Sequence, residues 1–122
     1  MKIVTFAVAL ACMSVLPTLS MADPSAFNKH CKKCHPVKAG KHLAGPSLAG
    51  IMGRAAGATD FKKYKVVKDS NIVWDEATID AYITDPKKFA KDNGLPKPKI
   101  MITKVKSADE RKAIIEHLKT LQ

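Results

Sequence analysis

Residues 31–35 read Cys-Lys-Lys-Cys-His, and this pentapeptide constrains the fold more than any other part of the chain. The pattern Cys-x-x-Cys-His is the attachment signature of c-type haem. Two thiols three residues apart on a helical turn, Cys31 and Cys34, reach the two vinyl groups of one porphyrin. His35 then projects its imidazole onto the iron from the same side. Its other ring nitrogen needs an acceptor, normally a backbone carbonyl, and Pro46 is the candidate for that carbonyl.

Three other interpretations of the motif predict different surroundings. A dithiol redox pair should stand at a helix start near a strand, and the chain has no βαβ pattern. A zinc site needs four ligands, and only His30, His42 or an acidic residue could join the motif. An idle disulfide is possible in an oxidising compartment but would leave the loops of the chain without a core. The sequence therefore favours haem attachment.

The stretch from Pro36 to Asp60 is an ordered loop region. It holds five of the six glycines of the chain and shows no sustained periodicity. Loops of this length bury little in a small domain. Another group must therefore fill the core, which favours a large apolar cofactor.

Capping signals predict helices on both sides of this loop region. Asp23-Pro24 indicates a helix with Asp23 as N-cap and Pro24 at the first helical position, running towards Cys31. Asp75 could cap a second helix, ended by Pro86, and a short turn would follow through Phe89. The second helix would bury one face, formed by Ile79, Tyr82 and Ile83.

A third helix is predicted at the end of the chain. The residues Ser107-Ala108-Asp109-Glu110 form a capping box in sequence, followed by an apolar stripe at Ile114, Leu118 and Leu121. No period-2 strands stand out. The predicted class is all-α, with three main helices and long loops wrapped around one covalently attached haem.

The first 22 residues predict export. Lys2 forms a short positive region, the stretch from Ile3 to Leu16 is almost wholly apolar, and Ser20-Met21-Ala22 resembles a cleavage site. These are the parts of a secretory signal peptide. The apolar run is too short to span a membrane, which needs about 20 residues. We therefore expect residues 1–22 to be a cleaved signal peptide and residues 23–122 to form one soluble, periplasmic domain without a membrane anchor.

Chain length indicates the number of domains, and net charge indicates the kind of partner. The chain has 122 residues, with 21 Lys+Arg against 11 Asp+Glu. That length allows one small domain. One group of lysines surrounds the haem-binding segment, and a second group lies in the stretch after Pro86. Together they would form a positive ring around the exposed haem edge and steer the protein towards acidic partners. Export removes nucleic acid as a target.

The spacing of residues in the sequence does not by itself identify the second axial ligand of the iron. Only Met52 and Met101 lie outside the predicted signal peptide. Met101 follows a loop rich in Pro and Lys and precedes the last helix, so its thioether could reach the iron opposite His35. Core filling is the usual role of a methionine. His42 and His117 are possible nitrogen ligands, and His117, on the C-terminal helix, is more simply a capping or packing residue.

In these residues and in the motifs given below, the chain resembles a class I cytochrome c of the mitochondrial-like bacterial kind. The resemblance runs from Phe27 to Leu121. Phe27 stands four residues before Cys31, as in the family. The other matching motifs are Gly45-Pro46-Ser47-Leu48 with Gly53-Arg54, Trp74 with Tyr82, Asp85-Pro86-Lys87-Lys88-Phe89, and Asp109-Glu110-Arg111 before the last helix.

The resemblance implies roles for single residues. Pro46 would accept a hydrogen bond from His35. Met101 holds the position of the family's axial ligand, counted back from the last helix. The side chains expected to line the haem are Arg54, Tyr64 and Trp74 around the propionates and Tyr82 beside the Met101 sulfur. The chain departs from the family pattern in a longer stretch between Phe89 and Met101, in a Tyr64 shifted by one position, and in His117, which replaces an aromatic residue that would cross Phe27.

The resemblance also implies a function. We expect a monomeric one-electron carrier, not an enzyme, that accepts electrons from a cytochrome bc complex or a periplasmic dehydrogenase. A terminal oxidase or a reaction centre would accept them in turn. The alternative is a haem protein with a labile sixth ligand that acts as a peroxidase-like enzyme or a gas sensor. The long loop before Met101 is the feature that supports this alternative.

Overall fold

The computed structural model describes residues 23–98 and 104–122. Within these ranges the chain forms four α-helices: α1 (Ser25–His30), α2 (Glu76–Thr84), α3 (Pro86–Asp92) and α4 (Ala108–Lys119). The described residues contain no β-strand, and one isolated antiparallel bridge pairs Ala55 with Val73. The predicted all-α class is confirmed, with one helix more than the three expected.

The additional helix is α3, where the sequence predicted only a short turn through Phe89. Asp85 ends α2 and caps α3, because its Oδ1 accepts the backbone N–H of Lys88 at 3.1 Å. Pro86 occupies the first helical position, where its fixed φ suits a helix and its missing N–H leaves no bond unmade. Pro86 therefore begins a helix as well as following the end of α2.

The cap predicted for α2 is confirmed in full. The Asp75 carboxylate accepts the N–H of Thr78 at 2.8 Å, and the Thr78 hydroxyl accepts the N–H of Asp75 at 2.9 Å. This reciprocal pair satisfies two backbone donors that a helix start otherwise leaves open. Ile79 and Ile83 are buried on the inner face of α2, and Tyr82 is half-buried.

The caps of α1 and α4 differ from those predicted. Pro24, not Asp23, is the N-cap residue of α1, and the Asp23 carboxylate accepts the N–H of Ser25 at 2.9 Å. In α4 the Ser107 hydroxyl accepts the N–H of Glu110, but the Glu110 side chain does not complete the box. It contacts α1 instead, because a carboxylate gains more from the cationic Lys29 and the His30 ring than from a neutral backbone N–H.

Helices α1 and α4 pack against each other, and α4 also packs on α2. Phe27, Ile114 and Leu118 form the centre of this contact, with exposed fractions of 2%, 1% and 3%. The ring of His117 lies 4.7 Å from the ring of Phe27, measured between centroids, with the two planes tilted by 46°. The imidazole thus packs where the family pattern has an aromatic ring, and the helix contact is preserved.

The long connection between α1 and α2 adds its own apolar residues to the core. Leu48, Ile51 and Val67 are buried although they lie on no helix. Its backbone is bonded to the end of the chain, since the N–H of Gly50 donates to the carbonyl of Leu121 at 2.6 Å. None of the helices in the described ranges has the length and hydropathy to cross a bilayer.

Candidate haem site

The two motif cysteines lie on the turn that follows α1. Cys31 is the C-cap residue of the helix, and its N–H donates to the carbonyl of Phe27 at 2.8 Å. The N–H groups of Cys34 and His35 both donate to the carbonyl of Cys31, at 3.2 and 3.0 Å. These bonds close one compact turn that carries the side chains of Cys31, Cys34 and His35. Both cysteines are free thiols; Cys31 is half-buried and Cys34 exposed.

The two thiols differ in burial, and burial changes the acidity of Cys31. It raises the pKa of the Cys31 thiol to about 11, so Cys31 is protonated at neutral pH. A thiol that stays protonated is a poor thiolate nucleophile, so this environment disfavours the dithiol redox interpretation.

The His35 imidazole has a fixed orientation and tautomer. Its Nδ1 lies 2.8 Å from the carbonyl oxygen of Pro46. A carbonyl can only accept, so Nδ1 carries the proton and Nε2 carries the lone pair. Burial lowers the pKa of His35, and the bond to Pro46 only partly opposes this. The ring is therefore neutral at physiological pH and presents Nε2 as a metal ligand.

Gly45 makes room for that ring. A Cβ atom at Gly45 would lie 2.6 Å from Nδ1 and 2.8 Å from Nε2 of His35, inside van der Waals contact. The backbone at Gly45 cannot retreat freely, since its N–H donates to the carbonyl of Cys34 at 2.9 Å. Gly45 has an ordinary φ, so close approach and not backbone conformation requires glycine here.

Arg54 lies half-buried beside the loop that carries Pro46. Its guanidinium donates to the carbonyl of Ala49 at 2.9 Å and to that of Ser47 at 3.2 Å. Burial lowers the pKa of Arg54, and the nearby Tyr64 opposes that shift. The Tyr64 hydroxyl forms a short hydrogen bond with Thr59. The structure thus brings Arg54 and Tyr64 to one region, with the tyrosine hydroxyl already engaged.

Trp74 and Tyr82 belong to an aromatic cluster that also contains Phe89. The ring centroids lie 5.2 Å apart for Trp74 and Tyr82, 6.1 Å for Trp74 and Phe89, and 5.4 Å for Tyr82 and Phe89. Burial raises the pKa of Tyr82, so its hydroxyl stays protonated at neutral pH. The backbone N–H of Trp74 donates to the carbonyl of Arg54 at 2.9 Å. This bond connects the aromatic cluster with the Arg54 region.

Met101 lies outside the described residues. Its predicted ligation of iron and its predicted neighbourhood to Tyr82 therefore stay predictions.

The other histidines are engaged in the fold. His30 Nε2 contacts Glu110 at 2.8 Å, and the His117 ring packs on Phe27. His42 uses both nitrogens: Nδ1 accepts the N–H of Ser47 at 3.0 Å, and Nε2 lies 2.6 Å from Asp60 Oδ1. Within residues 23–98 and 104–122 no group of three His, Cys, Asp or Glu side chains could hold a metal ion. His30 and His42 therefore do not complete a zinc site.

Two features of the site gave no signal in the sequence. Gly45 is one of several loop glycines, and only the position of the His35 ring distinguishes it. The contact between His42 and Asp60 joins residues 18 positions apart in a region without periodicity. A pattern search has no basis for pairing them.

The described residues fit a covalent haem. Two free thiols lie on one turn, the adjacent imidazole offers Nε2, and a glycine leaves space for its ring. The family model for "Cytochrome c" matches residues 24–122. The chain belongs to the cytochrome c family. Its relatives include "Cytochrome c2 iso-2" of Magnetospirillum molischianum, 43% identical over 102 residues, which are 83% of this chain and 100% of that protein.

More distant relatives extend the similarity to eukaryotes. "Cytochrome c2" of Rhodoplanes tepidamans is 36% identical over 101 residues, covering 81% of this cytochrome and 97% of that protein. "Cytochrome c" of Chlamydomonas reinhardtii is 35% identical over 95 residues, covering 76% of this chain and 80% of that protein. These matches confirm a class I c-type cytochrome of the electron-carrier family, whose cofactor is one covalent haem c.

Proposed function

We propose that this cytochrome is a periplasmic one-electron carrier in which Cys31 and Cys34 attach the haem and His35 and Met101 ligate its iron. The observation that carries the proposal is the hydrogen bond from His35 Nδ1 to Pro46, because it fixes the ring and its tautomer and leaves the Nε2 lone pair available to a metal. When bound, the haem supplies an iron that gains and loses one electron. A thioether opposite the imidazole would favour the reduced state and suit electron transfer.

The surrounding residues would hold the ligand set rigid and balance charge. The His35 ring is restrained by the Pro46 carbonyl on one nitrogen and by Gly45 against its surface. Arg54 forms no ion pair with any residue in the described ranges, although it is half-buried. A half-buried cation is stabilised by an anion. This supports the assignment of Arg54 to the haem propionates, whereas the same role for Tyr64 and Trp74 is proposed from the resemblance alone.

We further propose that residues 1–22 are a cleaved signal peptide and that residues 23–122 act in the periplasm. The support is the arrangement of Lys2, the apolar stretch and the small residues before Asp23. The donor would be a cytochrome bc complex or a periplasmic dehydrogenase, and the acceptor a terminal oxidase or a reaction centre.

Unpaired lysines support an acidic partner. Around the Cys-x-x-Cys-His turn, Lys29 is paired with Glu110, whereas other exposed lysines form no ion pair with described residues. These free lysines are Lys32, Lys33, Lys38 and Lys41. Beyond Pro86, Lys88 and Lys104 are paired with Asp92 and Asp85. The exposed Lys87, Lys91, Lys97 and Lys106, however, form no ion pair with described residues. Unpaired lysines on both the haem-binding turn and the segment after Pro86 would therefore contribute to the positive field for steering.

The ligand assignment is tested by comparing two methionine variants. Met101→Ala should lower the reduction potential and let ferric iron bind azide readily, because the thioether no longer occupies the sixth position. Met52→Leu is the matched control, since Met52 packs partly buried against the core and its replacement has nearly the same volume. An unchanged potential in Met101→Ala would exclude Met101 as the ligand.

The steering assignment is tested with small oxidants of opposite charge. Oxidation by anionic ferricyanide should slow as ionic strength rises, and oxidation by a cationic cobalt complex should accelerate. Replacing Lys32 and Lys33 by Gln should weaken both dependences. Equal salt dependence for the two oxidants would contradict a basic surface at the haem edge.

A further inference from the structure

Hydrogen bonds and an ion pair connect the three residues from Lys104 to Lys106 to the helices. The N–H of Val105 donates to the carbonyl of Ile83 at the end of α2, at 2.8 Å, and the Val105 side chain is buried. This backbone hydrogen bond joins a segment without regular secondary structure to the last turn of α2.

Arg111 adds the strongest of these attachments. From α4, its Nη1 donates to the carbonyls of Val105 and Lys106, each at 3.0 Å, and its Nε donates to Asp80 Oδ1 at 2.7 Å. The Arg111 side chain is only 15% exposed. The guanidinium is planar, so its bond to Asp80 on α2 fixes the direction of the donors that hold the segment. Asp80 and Arg111 thus form one unit with residues 105–106.

Lys104 provides a further attachment on the α3 side. Its ammonium lies 3.0 Å from Asp85 Oδ2, while Asp85 Oδ1 caps α3 through the N–H of Lys88. Pairing with Lys104 and the bond from Lys88 hold the pKa of Asp85 below its usual value, so it is ionised at neutral pH. The segment is therefore connected to α2, α3 and α4.

These attachments lie next to the proposed axial ligand. Met101 precedes Val105 by four residues, and even a fully extended connection of that length spans at most about 14 Å. On the other side, Pro98 is buried and precedes Met101 by three residues. A ligand tethered between two anchored positions would lose less entropy on binding than one in a free loop.

We propose that Arg111, oriented by Asp80, is a positioning residue for Met101. The inference rests on the proposed function, because it assumes that Met101 ligates iron. Arg111 fixes the C-terminal base of the Met101 segment and so keeps the thioether on the iron. Loss of this attachment raises the fraction of molecules in which Met101 is detached.

That fraction can be measured through an external ligand. Azide binds ferric iron only when the sixth position is open, so its apparent affinity scales with the detached fraction. Arg111→Gln should raise the azide affinity about tenfold, as expected for loss of a charge-assisted hydrogen bond. Asp80→Asn should raise it about threefold, because Arg111 keeps its carbonyl bonds but loses its orientation. Arg111→Lys should give an intermediate value.

The control is an ion pair between the same two helices that makes no hydrogen bond or ion pair with residues 104–106. Lys119 on α4 pairs with Glu76 on α2 and with Glu116. Lys119→Gln should lower stability without changing azide affinity. Each variant is also made in the Met101→Ala background, where azide affinity should be high and independent of Arg111 and Asp80.

The outcomes separate the two proposals. If Met101→Ala binds azide no better than the parent, the ligand assignment and the positioning role both fail. If Met101→Ala binds azide strongly but Arg111→Gln and Asp80→Asn bind like the parent, only the positioning role fails. A change of equal size in the Met101→Ala background would also contradict it, since Arg111 would then act on the iron site without Met101. Should Arg111→Gln not fold, Asp80→Asn decides, with Asp80→Glu as the conservative rescue.

Discussion

His42 and Asp60 join two loops of this cytochrome through a hydrogen bond of 2.6 Å between Nε2 and Oδ1. The tautomer is determined by the other nitrogen, because Nδ1 lies 3.0 Å from the N–H of Ser47, which can only donate. Neutral His42 therefore carries its proton on Nε2 and donates it to Asp60. Ser47 follows Pro46 directly, so this bond supports the loop whose carbonyl orients His35.

The pair between His42 and Asp60 predicts a pH dependence of stability. The hydrogen bond from His42 holds the pKa of Asp60 below its ordinary value. A depressed carboxyl pKa stabilises the folded state above the unfolded pKa, about 4, and that stabilisation is lost as pH falls through the folded value. In denaturant titrations, the free energy of unfolding should therefore fall less steeply below about pH 4 in Asp60→Asn than in the parent.

The control for this prediction is Asp69→Asn. Asp69 is exposed and forms no ion pair within the described ranges, so the variant should retain the parent's acid dependence. Equal acid dependence in the parent and in Asp60→Asn would show that the bond contributes nothing.

Cap residues explain which helices could be predicted from the sequence. Asp75 and Ser107 stand before helical patterns and bond to their third following residues, as their residue types predict. Helix α3 is not predicted because a proline that follows a helical pattern indicates the end of that helix. A proline after an aspartate also starts a helix, and the following residues had too few apolar positions to show a period.

The site was predictable where chemistry depends on local spacing. Cys31, Cys34 and His35 act within one turn, so five letters of sequence describe them. Contacts between distant loops leave no such pattern: the closeness of Gly45 to His35 and the bonds of Arg54 to loop carbonyls depend on tertiary packing. The packing of His117 on Phe27 could be predicted only through the resemblance, as an imidazole in place of an aromatic ring.

Gly45→Ala should disturb the iron ligand without straining the backbone. The new Cβ would lie 2.6 Å from Nδ1 of His35, so the ring must move and lengthen its bond to Pro46. Overpacking of this kind costs about 1–3 kcal/mol of unfolding free energy. The measurable consequence is a shift of the ferric absorption bands together with a lower midpoint of denaturation.

Gly40→Ala is the matched control for that variant. A Cβ there meets nothing within 4 Å, but Gly40 has a φ of 76°, which strains other residues. Its variant should lose about 1–2 kcal/mol through the backbone alone and leave the absorption bands in place. Unchanged bands in Gly45→Ala would contradict the close fit between Gly45 and His35.

His117→Ala should weaken the contact between α1 and α4. The imidazole packs 4.7 Å from the Phe27 ring, and aromatic pairs contribute about 0.5–1.5 kcal/mol beyond the area that they bury. His117→Phe should restore the stability or raise it, because it keeps a ring and removes polar atoms. Thermal or denaturant unfolding of both variants, with the exposed Lys112→Ala on the same helix as reference, measures the contribution. A stable His117→Ala would show that Phe27 packs equally well without a partner ring.

The central claim is that a neutral His35, held by Pro46, and Met101 occupy both axial positions of one haem. The most direct test is the visible absorption spectrum of the purified protein, first oxidised and then reduced. We predict sharp low-spin bands on reduction, a weak far-red sulfur-to-iron band in the ferric form, and no change when carbon monoxide is added to the reduced protein. A high-spin ferric spectrum and a shift with carbon monoxide would show an open iron and contradict the electron-carrier account.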